Sequence, residues 1–136
     1  MNQIESSLNI EGIDKSAIVE YFVTINQEEF IKTASLFTED GELFAPFEKA
    51  IIGREKIAAY LSKEAKGMKL LPKQGICEST SDVLTYKVVG KVKTSMFSVN
   101  VAWHFTLDQD EQITTARIKL LASGQELLSL QSKRDR

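Results

Sequence analysis

Two side chains in this sequence join a large apolar ring to a single hydrogen-bond donor: Tyr21 and Trp103. Each donor needs a partner once the ring is buried. If the two rings meet inside a hollow, their O–H and N–H converge on one carbonyl oxygen. The side chains predicted to line that hollow, Ile25, Phe44, Val101, Phe105, Ile118 and Leu120, carry no charge. Such a site suits a long apolar molecule that ends in a ketone. The same rings also fit an ordinary filled core, bonded to backbone carbonyls.

The remaining reactive side chains offer less. His104 is the one histidine, and strand alternation turns it away from the face that Trp103 occupies. That argues against a histidine-based nucleophilic or metal site. Asp40, followed by Glu42, could act as a general base beside a pocket. Within Glu39-Asp40-Gly41 it reads first as a turn residue. Asp40 with Tyr21 defines the enzymatic alternative, a small-molecule isomerase or hydrolase. Cys77 is the one cysteine, so no intrachain disulfide forms and a reducing, cytoplasmic setting is expected. A buried, inert thiol is one reading of it. An exposed redox thiol joining two copies is the other, with Glu78 disfavouring the thiolate. Glycine-rich phosphate loops and Cys/His metal spacings are absent, so neither a nucleotide nor a metal is expected.

The elements that must position Tyr21 and Trp103 follow from hydrophobic spacing. Residues 1–12 read as a flexible lead-in. Asp14 is placed to cap a helix in which Ile18, Tyr21, Phe22 and Ile25 share one face. A second helix is predicted over 27–37 and a third over 54–66, with Ile57, Leu61 and Ala65 inward and Gly67 as its C-terminal stop. Between them lies a short extended arm, 43–47. Strands are predicted over 70–78, 83–94, 97–107 and 112–121. The third alternates most cleanly, with Phe97, Val99, Val101, Trp103, Phe105 and Leu107 on one face. A terminal helix is predicted over 123–130 and a polar tail over 131–136. Helices followed by antiparallel strands indicate an α+β fold, here a curved sheet wrapped round the first helices into a cone with an apolar pocket.

Composition bounds the function. The 136 residues fit one domain, over 13–130. The net charge of −2 comes from bases scattered among acids, which makes nucleic acid a poor partner. No apolar run approaches the length that crosses a bilayer.

Longer motifs add a resemblance. Tyr21-Phe22, Leu36-Phe37-Thr38-Glu39-Asp40-Gly41 and Gly53 to Leu61 are shared widely among NTF2-like domains. Gly67-Met68-Lys69-Leu70, Val99-Asn100-Val101-Ala102-Trp103 and Leu120-Leu121-Ala122-Ser123 are more particular. Together they resemble the C-terminal domain of the cyanobacterial orange carotenoid protein and its stand-alone, carotenoid-carrying homologues. The resemblance runs from about Ile10 to Leu130. It implies an NTF2-like cone, a ketocarotenoid of the canthaxanthin or echinenone class as ligand, and no catalysis. It also implies that Tyr21 and Trp103 donate to the pigment's keto group, the same pair reached from spacing.

Carotenoid transfer, singlet-oxygen quenching and photoprotection are implied as roles. Light-driven domain separation is not, because it needs a helical N-terminal domain that these motifs do not match. Ser95-Met96-Phe97 stands where the two-domain proteins carry Pro-Trp-Phe and a longer stretch, so the pocket mouth is expected to differ. A domain of this length has a radius of gyration of about 14 Å, shorter than a carotenoid. Part of the pigment must protrude, and a homodimer sharing one pigment is expected to cover it. Membranes, in transient contact, and helical carotenoid-binding proteins are the expected donors and acceptors.

Overall fold

The computed structural model describes residues 8–80 and 82–121. The predicted terminal helix, the polar tail and the first part of the lead-in lie outside the described residues. Among the described residues three helices precede or interrupt a six-stranded sheet: α1 Ser16–Asn26, α2 Phe30–Ser35, β1 Phe37–Phe44, β2 Ile51–Ile52, α3 Arg54–Glu64, β3 Lys69–Cys77, β4 Leu84–Lys93, β5 Ser98–Leu107 and β6 Ile113–Leu121. The strand order is β2-β1-β6-β5-β4-β3. Only β1 and β6 run parallel, and every other neighbouring pair is antiparallel. The sheet is curved and unclosed, and its inner face packs on α1 and α3. This is the expected α+β cone.

Alternation decides what the sheet buries. On β5, Val101, Trp103, Phe105 and Leu107 face the helices and are buried, while His104 and Thr106 are only half-buried on the outer face. α1 answers with Ile18, Tyr21, Phe22 and Ile25, the i, i+3, i+4 stripe that a core-facing helix needs. Phe22 is fully buried and stands edge-on to Trp103 at 4.7 Å and to Tyr21 at 5.2 Å between ring centroids. Such perpendicular contacts set a ring's positive edge on its neighbour's negative face.

Several local expectations are corrected. Asp14 does not cap α1. The chain is still extended at Lys15, and no side chain caps the helix. α2 is shorter than 27–37 because Glu28 adopts a φ of 61° and Phe37 already belongs to β1. Glu39-Asp40-Gly41 is not a turn between elements but a bulge inside β1. From Phe37 to Glu42 the strand advances five residues while β6 advances two, Ile113 to Thr115. Gly41 is required there, since a Cβ would lie 2.8 Å from the Cβ of Phe37. The lead-in is not free at its end. Ile10 is buried, and the carbonyl of Glu11 accepts the N–H of Gly75 at 2.7 Å.

One side chain ties α1 to the sheet. The amide of Asn26 donates to the carbonyl of Leu70 at 2.9 Å and accepts the N–H of Leu70 at 2.7 Å. This closes the backbone of β3 on the last residue of the helix that carries Tyr21. Asn26→Leu keeps the branching of the side chain but leaves both Leu70 groups unpaired. Urea denaturation should show a loss of roughly 2 kcal/mol, and a loss below about 0.5 kcal/mol would show that the clamp contributes little.

Candidate functional site

Tyr21 and Trp103 line one cavity of about 160 Å³ between α1, α3 and the inner face of the sheet. Ile25 and Val101 adjoin them in the buried depth of the wall. Ile118 is half-buried and Leu120 is 48% exposed, which marks the open side. Pro46, Tyr60, Met68 and Val99, also half-buried, complete the mouth. An apolar cavity of about 150 Å³ holds a benzene ring, so this one has room for a single six-membered ring.

The polar atoms matter more than the volume. Tyr21 and Trp103 are each 1% exposed. Neither the Tyr21 hydroxyl nor the Trp103 indole N–H makes a hydrogen bond among the described residues, yet no fully enclosed side-chain N or O there lacks a partner. The two donors therefore open onto the cavity. The filled-core alternative, with both donors tied to backbone carbonyls, is not what the chain adopts. Burial pushes the Tyr21 phenol far above its usual range, with Tyr60 adding to the shift. Tyr21 is accordingly a neutral donor at any physiological pH.

Two predicted lining residues are elsewhere. Phe105 does face inward, but Tyr21 covers it at 5.0 Å and Phe22 at 5.9 Å, so it lies behind the cavity floor. Phe44 points to the opposite face. Leu43 takes the buried position on β1, and the Phe44 ring packs under the Arg117 guanidinium at 4.1 Å. The wall also carries a charge that was not expected, Glu64 on α3. Burial, then Glu48 and Glu64, push the Tyr60 phenol up. Tyr60 and Glu64, four residues apart on α3, form a stripe beside the Ile57, Leu61, Ala65 stripe that sequence spacing did reveal, and Met68 follows just past the helix end. What spacing could not reveal was that the second stripe borders a hollow.

The other candidates are separate from the cavity. Asp40 is exposed on the β1 bulge and outside the cavity wall, so it is not placed to act with Tyr21. His104 lies on the outer face with Glu78 3.9 Å away. Burial, followed by Lys119, holds its imidazole below the ordinary range. Cys77 is exposed rather than buried. Its thiol lies 3.0 Å from the Ser79 hydroxyl, and the Ser79 side chain and backbone hold it below the usual thiol range against slight burial and the charge of Asp14. Cys77 ends β3, whereas Leu70 in the cavity wall begins it, about 23 Å away along an extended strand. A Cys77 disulfide would join two cones by the ends remote from their mouths.

The chain is similar to known proteins in sequence and fold. Over 130 residues the chain is 38% identical to an orange carotenoid-binding protein of Limnospira maxima, covering 92% of this chain and 41% of that one. The structure of the Anabaena (Nostoc) orange carotenoid protein binding canthaxanthin superposes with a TM-score of 0.82 at 37% identity, over 90% of this chain and 40% of that one. This chain is a homologue of the orange carotenoid protein's C-terminal domain. It spans less than half of those relatives. An NTF2-like protein from Cytophaga hutchinsonii matches over 84% of this chain and 95% of its own at a TM-score of 0.63 and 11% identity, which shows the shared fold. No family model matches the sequence. Among the described residues no helix is long and apolar enough to cross a membrane, and no cluster of His, Cys, Asp or Glu could hold a metal ion.

The buried phenol has a stability signature. Its folded pKa lies above the unfolded value near 10. Its contribution is therefore complete below pH 10 and is lost as pH rises, because only the unfolded chain ionises there. Denaturation of the wild type and Tyr21→Phe should give parallel stabilities below pH 10. Above it the wild type should fall more steeply, by up to about 1.4 kcal/mol per pH unit. Identical slopes would mean that the phenol is hydrated.

Proposed function

We propose that this chain is a ketocarotenoid-binding carrier. The observation that supports the reading is the pair of ring donors, Tyr21 and Trp103, left without partners and open at the base of an apolar cavity. A keto oxygen there accepts from both. Buried without them it would cost about 1–3 kcal/mol. The lining of Ile25, Val101 and Ile118 gains roughly 25 cal/mol for each Å² of pigment it removes from water. The relative that binds canthaxanthin makes the canthaxanthin or echinenone class the natural candidate.

The cavity volume sets the stoichiometry. Room for one ring leaves the polyene outside the mouth, where water opposes it. A second protomer, mouth to mouth, covers the polyene and receives the other end ring, giving a homodimer with one shared pigment. Parting of the two halves then hands the pigment to a membrane or a helical carotenoid-binding protein. The conjugated chain also suits singlet-oxygen quenching. The enzymatic alternative pairs Asp40 with Tyr21, and Asp40 lies outside the cavity that Tyr21 lines.

Expression in cells that make ketocarotenoids tests the reading. The purified protein should be coloured, and the pigmented fraction should elute at the dimer mass with one pigment per two chains. Tyr21→Phe with Trp103→Phe should weaken retention by about tenfold or more and shift the absorption to the blue. A colourless wild type would refute the carrier reading, and an unshifted spectrum in the double variant would remove these rings from the site.

A further inference from the structure

The cavity opens at one end of the sheet, and that end is basic. Antiparallel pairing gathers the start of β3, the end of β4, the start of β5 and the end of β6. Lys69 stands opposite Lys93, itself opposite Ser98, and Leu71, Lys91, Asn100 and Leu121 form a further rung. Lys69, Lys91, Lys93 and Lys119 are all exposed, and residues 68–71, 91–100 and 118–121 contain no Asp or Glu. The opposite end is the reverse. Residues 78–83 and 108–112 carry Glu78, Asp82, Asp108, Asp110 and Glu111 with no Lys or Arg among them, and Lys15, paired with Glu111 at 3.0 Å, offsets one of these charges. The chain as a whole has a net charge of −2, so the polarity is a product of strand direction and not of composition.

Two further features mark the basic end. Lys69 and Lys93 are directly paired, and like charges so placed weaken a sheet. The apolar side chains there are also uncovered. Met96 is 84% exposed, Phe97 61% and Leu120 48%. Phe97 ends the loop before β5, two residues from Val99 of the cavity wall. On the helical side of the mouth the charges are mixed, Glu48 and Glu64 among Lys49, Lys63 and Lys66.

We propose that this end docks on an anionic bilayer surface. The four lysines meet headgroup phosphates, Met96, Phe97 and Leu120 enter the boundary with the acyl chains, and the cavity mouth faces the hydrocarbon. Interfacial lysine beside exposed apolar side chains is the combination that peripheral membrane contact uses. The acidic far end is repelled by the same surface, so the polarity orients the approach as well as strengthening it. The contact belongs to the separated protomer, because the pigment-sharing dimer brings the same mouths together, whereas a parted chain presents its lysines and apolar rim to the surface. The purpose of the contact rests on the carrier reading, but its measurement does not.

The test is co-flotation of the full chain, without pigment, with vesicles of phosphatidylcholine alone or mixed with phosphatidylglycerol, at low and high salt. Binding should require phosphatidylglycerol and weaken at high salt. A lysine at such a surface contributes about a fivefold change in affinity. Lys93→Glu, which removes one attraction and adds one repulsion, should therefore weaken binding by roughly 25-fold. That variant faces Lys69 with a carboxylate, so the sheet is not put at risk. Lys32→Glu, on α2, makes the same change in net charge and should weaken binding by less than about threefold. Phe97→Ser should reduce the binding that survives high salt.

Equal binding to both vesicle types, or equal losses in Lys93→Glu and Lys32→Glu, would overturn the proposal. So would an absence of flotation together with a change of oligomeric state in Lys93→Glu, which would assign this end to a protein partner. A protein that takes up pigment but does not float keeps the carrier reading and loses this one. A protein that floats yet stays colourless does the opposite.

Discussion

The site depends on edge-to-face packing around Phe22. This side chain lies between the two donor rings, perpendicular to both, and it touches Phe105 on the same side. Because Phe22 follows Tyr21 on α1, the helix cannot rotate without breaking these contacts. The clamp of Asn26 on Leu70 fixes the same helix at its other end. The directions of the Tyr21 hydroxyl and the Trp103 N–H are thus set by apolar geometry. Their polar atoms stay free because nothing in the cluster can accept a hydrogen bond.

That economy explains why a small domain keeps an unfilled cavity. Closing it would let side chains regain dispersion contacts, but it would also seal two donors without acceptors, a penalty of the size of a lost hydrogen bond each. The aromatic cluster supplies rigid walls behind the floor, and Leu61, Ala65 and Leu70 brace the sides. The curvature of the sheet keeps β5 and β6 from collapsing onto α3. A hollow of this size accepts one ring and excludes the rest of any longer ligand, which turns the mouth and its rim into part of the binding problem.

The rim combines apolar exposure and positive charge on the sheet side with mixed charge on the helical side. Antiparallel strands create this automatically. Residues that end one strand and begin the next share an edge, so lysines separated by more than twenty positions in the chain become neighbours. The basic edge adjoins the mouth, and acids gather at the far end where Cys77 also lies. A lone exposed thiol there is chemically open but is spatially unrelated to the cavity.

Much of this was legible in the order of the residues. The α1 stripe and the β5 alternation each have one physical solution, since a 3.6-residue or a two-residue period buries its apolar side chains in only one way. Those periods placed Tyr21 and Trp103 on facing surfaces and turned His104 outward. Periodicity does not report which buried positions border empty space, and so Phe105 was expected in the wall it lies behind, and Glu64 was not expected at the mouth. Nor does it report which side of a bulge a strand emerges on. Glu39-Asp40-Gly41 has the composition of a turn, but long-range pairing with β6 carried it through as strand and set Leu43 inward and Phe44 outward. The sidedness of charge was equally hidden, because scattered lysines form a patch only through strand register. The sequence determined the elements and the faces they bury. Which of those faces meet, where they leave a gap and which charges border it were decided by the tertiary structure, because those outcomes depend on contacts between residues far apart in the chain.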